Sequence, residues 1–168
     1  MVRISAAALF ALLLVVPAMA QDDYPKIQTS MGYANLSLLS GHHSSFANQT
    51  GFNLSRTLGL ENYMGIYGLG QGVTLISDFF GGKAMYRTAR AVPYALAGIG
   101  VGYFTDSQGY GQSSFATRYG AGVDIPINDS LAWKVEVSRM TFHLQTTFTS
   151  SWTGGTNFAT GIVFTISQ

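Results

Sequence analysis

The sequence predicts an all-β chain, folded as an eight-stranded antiparallel up-and-down β-barrel that crosses a membrane. Only 10% of its 168 residues are charged, where a soluble domain carries about a quarter, yet it holds 20 Gly, 9 Tyr and 11 Phe. From residue 24 onward, side-chain character alternates with a period of two, as in strands with one apolar face. The alternating segments are about ten residues long, the length of a tilted strand that spans a bilayer.

The composition excludes several other classes of protein. An apolar content of 47% with 13% aromatic residues argues against a disordered chain. No basic stripe is present to neutralise phosphates, which argues against nucleic-acid binding. The chain has no cysteine, so disulfides, thiolate metal sites and a Cys nucleophile are excluded.

The first 20 residues have the three parts of a secretory signal peptide. Arg3 supplies the positive charge, residues 6–16 form an apolar run, and small residues lead to Ala20. We expect cleavage before Gln21, which leaves 21–168 as one barrel domain. The alternative is an uncleaved membrane anchor, but residues 4–20 number 17, and a spanning helix needs about 20.

Eight segments carry the alternation, and they are predicted as strands at residues 25–36, 49–58, 63–73, 78–88, 93–103, 114–125, 132–142 and 156–166. In the first strand, Met31 and Tyr33 share one face and oppose Ser30 and Gly32. The second ends at the turn cluster 59–62. Glycines at 65, 68, 70 and 72 make the faces of the third and fourth strands less distinct.

The last four strands alternate more clearly, with large side chains on one face and small or ionisable ones on the other. The large ones are Ile99 and Val101 in the fifth strand, Phe115 and Tyr119 in the sixth, Trp133 and Val137 in the seventh, and Phe158 and Phe164 in the eighth.

The connections are predicted to alternate in length. Short turns are expected at 59–62, 89–92 and 126–131, and longer Ser/Gly/Asn-rich loops at 37–48, 104–113 and 143–155, with a brief link at 74–77. Both chain termini then lie at the end with the short turns.

The few ionisable residues on strands fall on the faces of small residues, opposite the bulky apolar faces. We expect this face to line the lumen, with four cations and two anions in an ion network that plugs it: Lys83, Arg87, Arg118, Asp124, Lys134 and Glu136. An eight-stranded lumen is just wide enough to be filled by side chains. The alternative, a soluble lipocalin-type barrel, would need charged outer faces.

Several short motifs resemble the bacterial outer-membrane β-barrel domain family, the small eight-stranded barrels of OmpA or OmpX type. They are Tyr24-Pro25-Lys26-Ile27 leading to Gly32-Tyr33, Tyr86-Arg87-Thr88 with Val92-Pro93-Tyr94-Ala95, Tyr119-Gly120-Ala121-Gly122-Val123-Asp124, and Thr160-Gly161-Ile162-Val163-Phe164. The resemblance covers essentially the whole mature chain. It implies a location in the bacterial outer membrane and insertion by the barrel-assembly machinery.

Candidates for chemistry are sparse. A histidine beside a serine, with a carboxylate at the same end of the barrel, could form a palmitoyl-transferase-like set. The residues in question are His42, His43, Ser44, Ser45, Ser77 and Asp78. A solvated polar loop is the preferred interpretation.

The third histidine, His143, lacks the His-x-Ser order of lipid A deacylases and is interpreted as a rim residue. A Zn, Cu or Ni site formed by the three histidines is a weaker hypothesis, because adjacent histidines on a strand point apart. The sequence therefore predicts no catalytic, cofactor-binding or metal site.

The leading functional hypothesis is a non-enzymatic outer-membrane protein that supports envelope integrity or binds partners through its extracellular loops. The alternatives are a barrel that transports small or hydrophobic solutes and, third, a lipid A-modifying enzyme. The expected partners are outer-membrane lipids and lipopolysaccharide, whose phosphates Arg139 could contact. We expect a monomer without cofactors.

Overall fold

The protein, described as a computed structural model over residues 24–38, 41–145 and 150–167, is a closed antiparallel barrel. Each strand pairs with the next, and the first pairs with the last. The strands are β1 (Ile27–Leu38), β2 (Gly41–Asn53), β3 (Leu58–Gly70), β4 (Val73–Met85), β5 (Val92–Thr105), β6 (Gly111–Pro126), β7 (Leu131–Gln145) and β8 (Ser150–Ser167). The predicted fold class is confirmed. The predicted signal peptide lies outside the described residues, among which no helix is long and apolar enough to span a membrane.

The strand boundaries agree best with prediction in the second half of the chain. β2 begins at residue 41 rather than 49, so the predicted loop 37–48 is wrong, because most of it is strand. β3 and β4 each begin and end a few residues earlier than predicted.

The sequence predicted links that alternate between short and long, but the observed links do not alternate in this way. At one end of the barrel, where the first strand starts and the last one finishes, the links are residues 54–57, 86–91 and 127–130. We call this the terminus end. At the opposite, far end the links are residues 39–40, 71–72, 106–110 and 146–149. The hairpin ladders continue into the predicted loops, which leaves few residues for loops.

The register fixes the tilt of the strands. A path that steps from partner to partner around the barrel starts at Ile27 and arrives back on β1 at Ser37, ten residues further toward the far end. The successive ladder partners on the other seven strands are Phe52, Leu60, Gly82, Ala97, Tyr119, Arg139 and Thr156. With ~3.3 Å per residue and ~4.8 Å between strands, a shift of ten residues over eight strands tilts the strands by about 40°.

The outer face of the sheet is bulky and apolar, as predicted, whereas the inner face also carries large side chains where the sequence predicted small and ionisable ones. Large apolar side chains such as Met31, Tyr119 and Phe158 are exposed on the outer face, while the inner face is buried within the barrel. Glycines allow the narrow interior to form: a Cβ at Gly32 would lie 2.0 Å from the carbonyl oxygen of Thr160. Aromatic residues cluster near the strand ends on the outer face, with Trp133 at the terminus end and Trp152 at the far end.

Candidate functional site: the lumen and the lipid-facing charges

The lumen near the terminus end contains six buried ionisable side chains, three basic and three acidic. They are Glu61, Lys83, Arg118, Asp124, Lys134 and Glu136, and together we call them the lumen network. Lys83 Nζ lies 3.1 Å from Asp124 Oδ2, and Lys134 Nζ lies 4.0 Å from Asp124 Oδ1. The set is formally neutral, as a buried cluster of charges in a dry interior needs to be.

Arg118 is the centre of this network. Its guanidinium donates to Glu61 at 2.8 Å and also to Glu136, and it lies 4.1 Å from the centroid of the Tyr63 ring. Glu136 accepts further hydrogen bonds from Gln49 at 3.0 Å and from the Tyr94 hydroxyl at 3.1 Å. Because these contacts join β2, β3, β5, β6 and β7, they tie opposite walls of the barrel together.

The network differs from the predicted set at two positions. Arg87, predicted to be a member, instead lies in the link 86–91 at the terminus end, where it donates to the Arg56 carbonyl at 3.1 Å. Glu61, which the sequence placed in a turn, faces the lumen from β3 and is 4% exposed. The remaining five predicted residues are buried within the lumen.

Above the ions, toward the far end, lies a layer of neutral polar groups. The hydroxyls of Tyr63 and Tyr67 hydrogen-bond to each other, and Tyr67 donates to Asn157 Oδ1 at 2.9 Å. Asn157 Nδ2 lies 3.4 Å from the Ser138 hydroxyl. These residues carried no sequence signal beyond their place on the inward face.

The far half of the lumen is filled by apolar side chains. Rings run across it in contact, with centroid separations of 6.3 Å for Phe79–Phe142 and 5.6 Å for Phe104–Phe142. Leu36, Leu75 and Met140 beside them are fully buried. We call this cluster the apolar plug.

Open space in the lumen is correspondingly small. A cavity of about 20 Å³ lies among Gln49, Lys83 and Lys134, which is room for about one water molecule. A wider cleft of about 380 Å³, lined by Arg56 and Arg87 among others, opens at the terminus end.

The residues weighed for lipid A chemistry are not brought together. Ser77 faces the lumen, whereas Asp78 is exposed on the outer face. Both ring nitrogens of His43 lie near backbone carbonyls, of Gly68 at 3.1 Å and Leu38 at 3.2 Å. Ser44 is hydrogen-bonded to the Tyr33 hydroxyl at 2.7 Å on the outer face. The arrangement therefore contains no Ser–His–carboxylate relay among these residues.

The three histidines do not form a metal centre either. His143 Nε2 lies 2.6 Å from the Ser150 hydroxyl, and its ring centroid lies 4.8 Å from that of Trp152. Within the part of the chain that the structure describes, no three His, Asp or Glu side chains are grouped to hold a metal ion.

Two charged side chains lie on the lipid-facing surface. Asp78 of β4 is exposed between the apolar side chains Ile76 and Phe80 and accepts a hydrogen bond of 2.6 Å from Asn62. Arg139 of β7, the residue considered for lipopolysaccharide phosphates, is exposed six positions before the end of its strand. Every other Asp, Glu, Lys or Arg on strands β1–β8 faces the lumen.

Neither a family model nor a curated protein sequence matches the chain, but solved structures do. Neisserial surface protein A has a TM-score of 0.66 at 14% identity, covering 83% of this chain and 96% of that one. The N-terminal β-barrel domain of Pseudomonas aeruginosa OprF has a TM-score of 0.61 at 15% identity, covering 82% and 96%. A de novo designed transmembrane β-barrel has a TM-score of 0.55 at 16% identity, covering 86% and 98%.

At such low identities, the structural similarity shows the fold alone. By its fold, the chain resembles the small eight-stranded β-barrels of outer-membrane proteins.

Proposed function

We propose that the chain, after removal of residues 1–20, is a closed, non-conducting and non-enzymatic outer-membrane barrel with a structural or surface-interaction role in the envelope. The observation that carries this proposal is the filling of the lumen. The lumen network crosses one half of the barrel, and the apolar plug fills the other. A solute would have to break the ion pairs and displace Phe142 and its neighbours to pass.

The same observation counts against the transport alternative. An eight-stranded barrel leaves little interior volume after its side chains are placed, and here the cavity beside Lys134 is only about 20 Å³. Among the histidines, serines and aspartate weighed for it, the enzymatic alternative lacks an assembled nucleophile, base and orienting carboxylate.

Surface interaction would take place at a rim rather than through long loops. We place the terminus end in the periplasm, so that the far end, whose links hold at most five residues, faces outward. Tyr110 and Trp152 are exposed at this rim, with relative exposures of 76% and 58%. Membrane lipids are the partners of the outer face, and the barrel-assembly machinery is the expected insertion partner.

The proposal is tested by reconstituting the mature chain in planar bilayers. We expect a heat-dependent gel shift, which reports a folded barrel, together with no conductance steps at high protein content. Discrete conductance from folded protein would refute the non-conducting barrel. In parallel, the His42→Ala/His43→Ala double variant should leave the lipid A profile of expressing cells unchanged, and an altered profile would favour the enzyme.

A further inference from the structure

The lipid-facing surface of β1–β8 carries one acidic and one basic side chain, Asp78 and Arg139. Charged groups are rare on such surfaces because hydrocarbon does not solvate them. The lumen network is neutral by itself, with three cations and three anions, so neither residue is needed to balance it.

Asp78 and Arg139 lie at almost the same depth in the membrane. Stepping from Asp78 across the ladder leads to Val101, Phe115 and then His143 on β7. A full circuit of eight strands shifts the register by ten residues toward the far end. Three steps from strand to strand therefore raise the position by about 3.75 residues toward the far end, so His143 lies that much nearer the far end than Asp78. Arg139 lies four positions below His143 on the same strand. The two charges therefore differ in depth by less than about 1 Å.

Neither charge is satisfied within its own barrel. The carboxylate of Asp78 receives its hydrogen bond from Asn62, an uncharged donor, on one oxygen. Its partners across the ladders, Met64 and Val101, are exposed apolar residues. Arg139 makes no side-chain hydrogen bond or ion pair with any residue that the structure describes.

We propose that Asp78 of one copy pairs with Arg139 of a second copy within the membrane, so that the barrels associate side by side. Opposite charges at equal depth match without either copy tilting or shifting along the membrane normal. Anionic lipid could serve Arg139 but would repel Asp78, whereas a second copy satisfies both. The association differs from the monomer that the sequence predicted.

The geometry makes this contact head-to-tail. β4 and β7 are three strands apart in an eight-stranded barrel, so the two patches point in directions about 135° apart. One neighbour cannot cover both patches, and each copy therefore contacts two others. Contacts of this kind build rings or rows rather than closed two-fold dimers.

Cysteine cross-linking tests the contact directly, since the natural chain has no cysteine. Phe80→Cys and Val137→Cys proteins are mixed in vesicles of phosphatidylcholine and phosphatidylglycerol and oxidised. Each cysteine lies two positions from its charge on the same outer face, Phe80 from Asp78 and Val137 from Arg139, so both charges remain and the two cysteines stay matched in depth. The control pair is Ile99→Cys with Phe158→Cys, which is also lipid-facing, three strands apart and matched in depth, through Thr117, Thr141 and Gly154. We expect the Phe80→Cys/Val137→Cys mixture to give several-fold more heterodimer than the control pair.

Charge variants test the chemistry of the contact. Asp78→Asn and Arg139→Gln should each weaken association in the bilayer about tenfold, while the exchange Asp78→Arg/Arg139→Asp should restore it. Folding of each variant is checked by its gel shift.

Cross-linking no greater than that of the control pair would overturn the proposal. So would Arg139→Gln protein that loses bound anionic lipid but associates normally. Neither result bears on conductance, so this inference and the proposed function fail independently.

Discussion

Arg118 is the residue on which the lumen network depends most. It is 2% exposed and is the one cation of the described lumen that contacts both Glu61 and Glu136. The replacement Arg118→Met keeps much of the side-chain volume but removes the charge and all five N–H donors. Glu136 would keep its hydrogen bonds from Gln49 and Tyr94, whereas Glu61 would lose its ion-pair partner.

The expected loss follows from the charge that remains. With Arg118 gone, three anions face two cations in a lumen whose cavity holds about one water molecule. Removing one partner of a buried ion pair lowers the free energy of unfolding by about 3–5 kcal/mol. The double variant Arg118→Met/Glu61→Gln restores neutrality, so it should recover at least half of that loss.

The assay is equilibrium unfolding by urea in phospholipid vesicles, followed by tryptophan fluorescence from Trp133 and Trp152. Arg56→Met is the matched control, because Arg56 is exposed in the link 54–57 and its loss should change stability by no more than about 0.5 kcal/mol. The reasoning is refuted if Arg118→Met is within about 1 kcal/mol of this control, or if adding Glu61→Gln destabilises the protein further.

Two further predictions concern packing. A Cβ at Gly100 would lie 2.0 Å from the carbonyl oxygen of Asp78, whereas a Cβ at Gly82 meets nothing within 4 Å. In urea titrations, Gly100→Ala should therefore destabilise the barrel by about 1–3 kcal/mol relative to the control Gly82→Ala. Equal stabilities for these two variants would contradict the close approach at Gly100. Phe142→Ala should lower the free energy of unfolding by about 3–5 kcal/mol, because it removes the centre of the apolar plug. The same variant should still show no conductance in planar bilayers, because the lumen network remains. Conductance from this variant would show that the plug alone closes the barrel.

The sequence predicted the fold class because side-chain character alternates with a period of two in the last four strands, as in β8, where Phe158 and Phe164 oppose Asn157. β2 is different, because it carries polar side chains on both faces. Gln49 faces the lumen, and Asn48 and Thr50 face outward. A period of two in hydrophobicity does not appear in such a strand, so it resembled a loop.

The early error in β2 explains the error in the lumen network. Placing β2 too late moved β3 and β4 with it, which put Glu61 in a turn and Arg87 on a strand. The sequence held a signal of the mistake, since four cations and two anions do not balance in a sealed lumen. Exchanging Arg87 for Glu61 gives three of each.

The orientation of Asp78 was also readable in the sequence. Lys83 lies five positions later on β4, and an odd separation places two residues of a strand on opposite faces. With Lys83 in the lumen, Asp78 had to face the lipid. The pairing between copies could not be predicted from the sequence, because the equal depth of Asp78 and Arg139 follows only from the register of all eight strands.

The short links that the structure describes at the far end bear on how well this end resists proteolysis. Proteases need exposed, pliable stretches of backbone, and the links that the structure describes at this end, 71–72 and 106–110, hold only two and five residues. At the β3–β4 link the chain reverses through Gly70, Gln71 and Gly72, all with positive φ. These two links offer a protease little backbone to cleave, so we expect both to stay intact when the folded barrel is digested in vesicles.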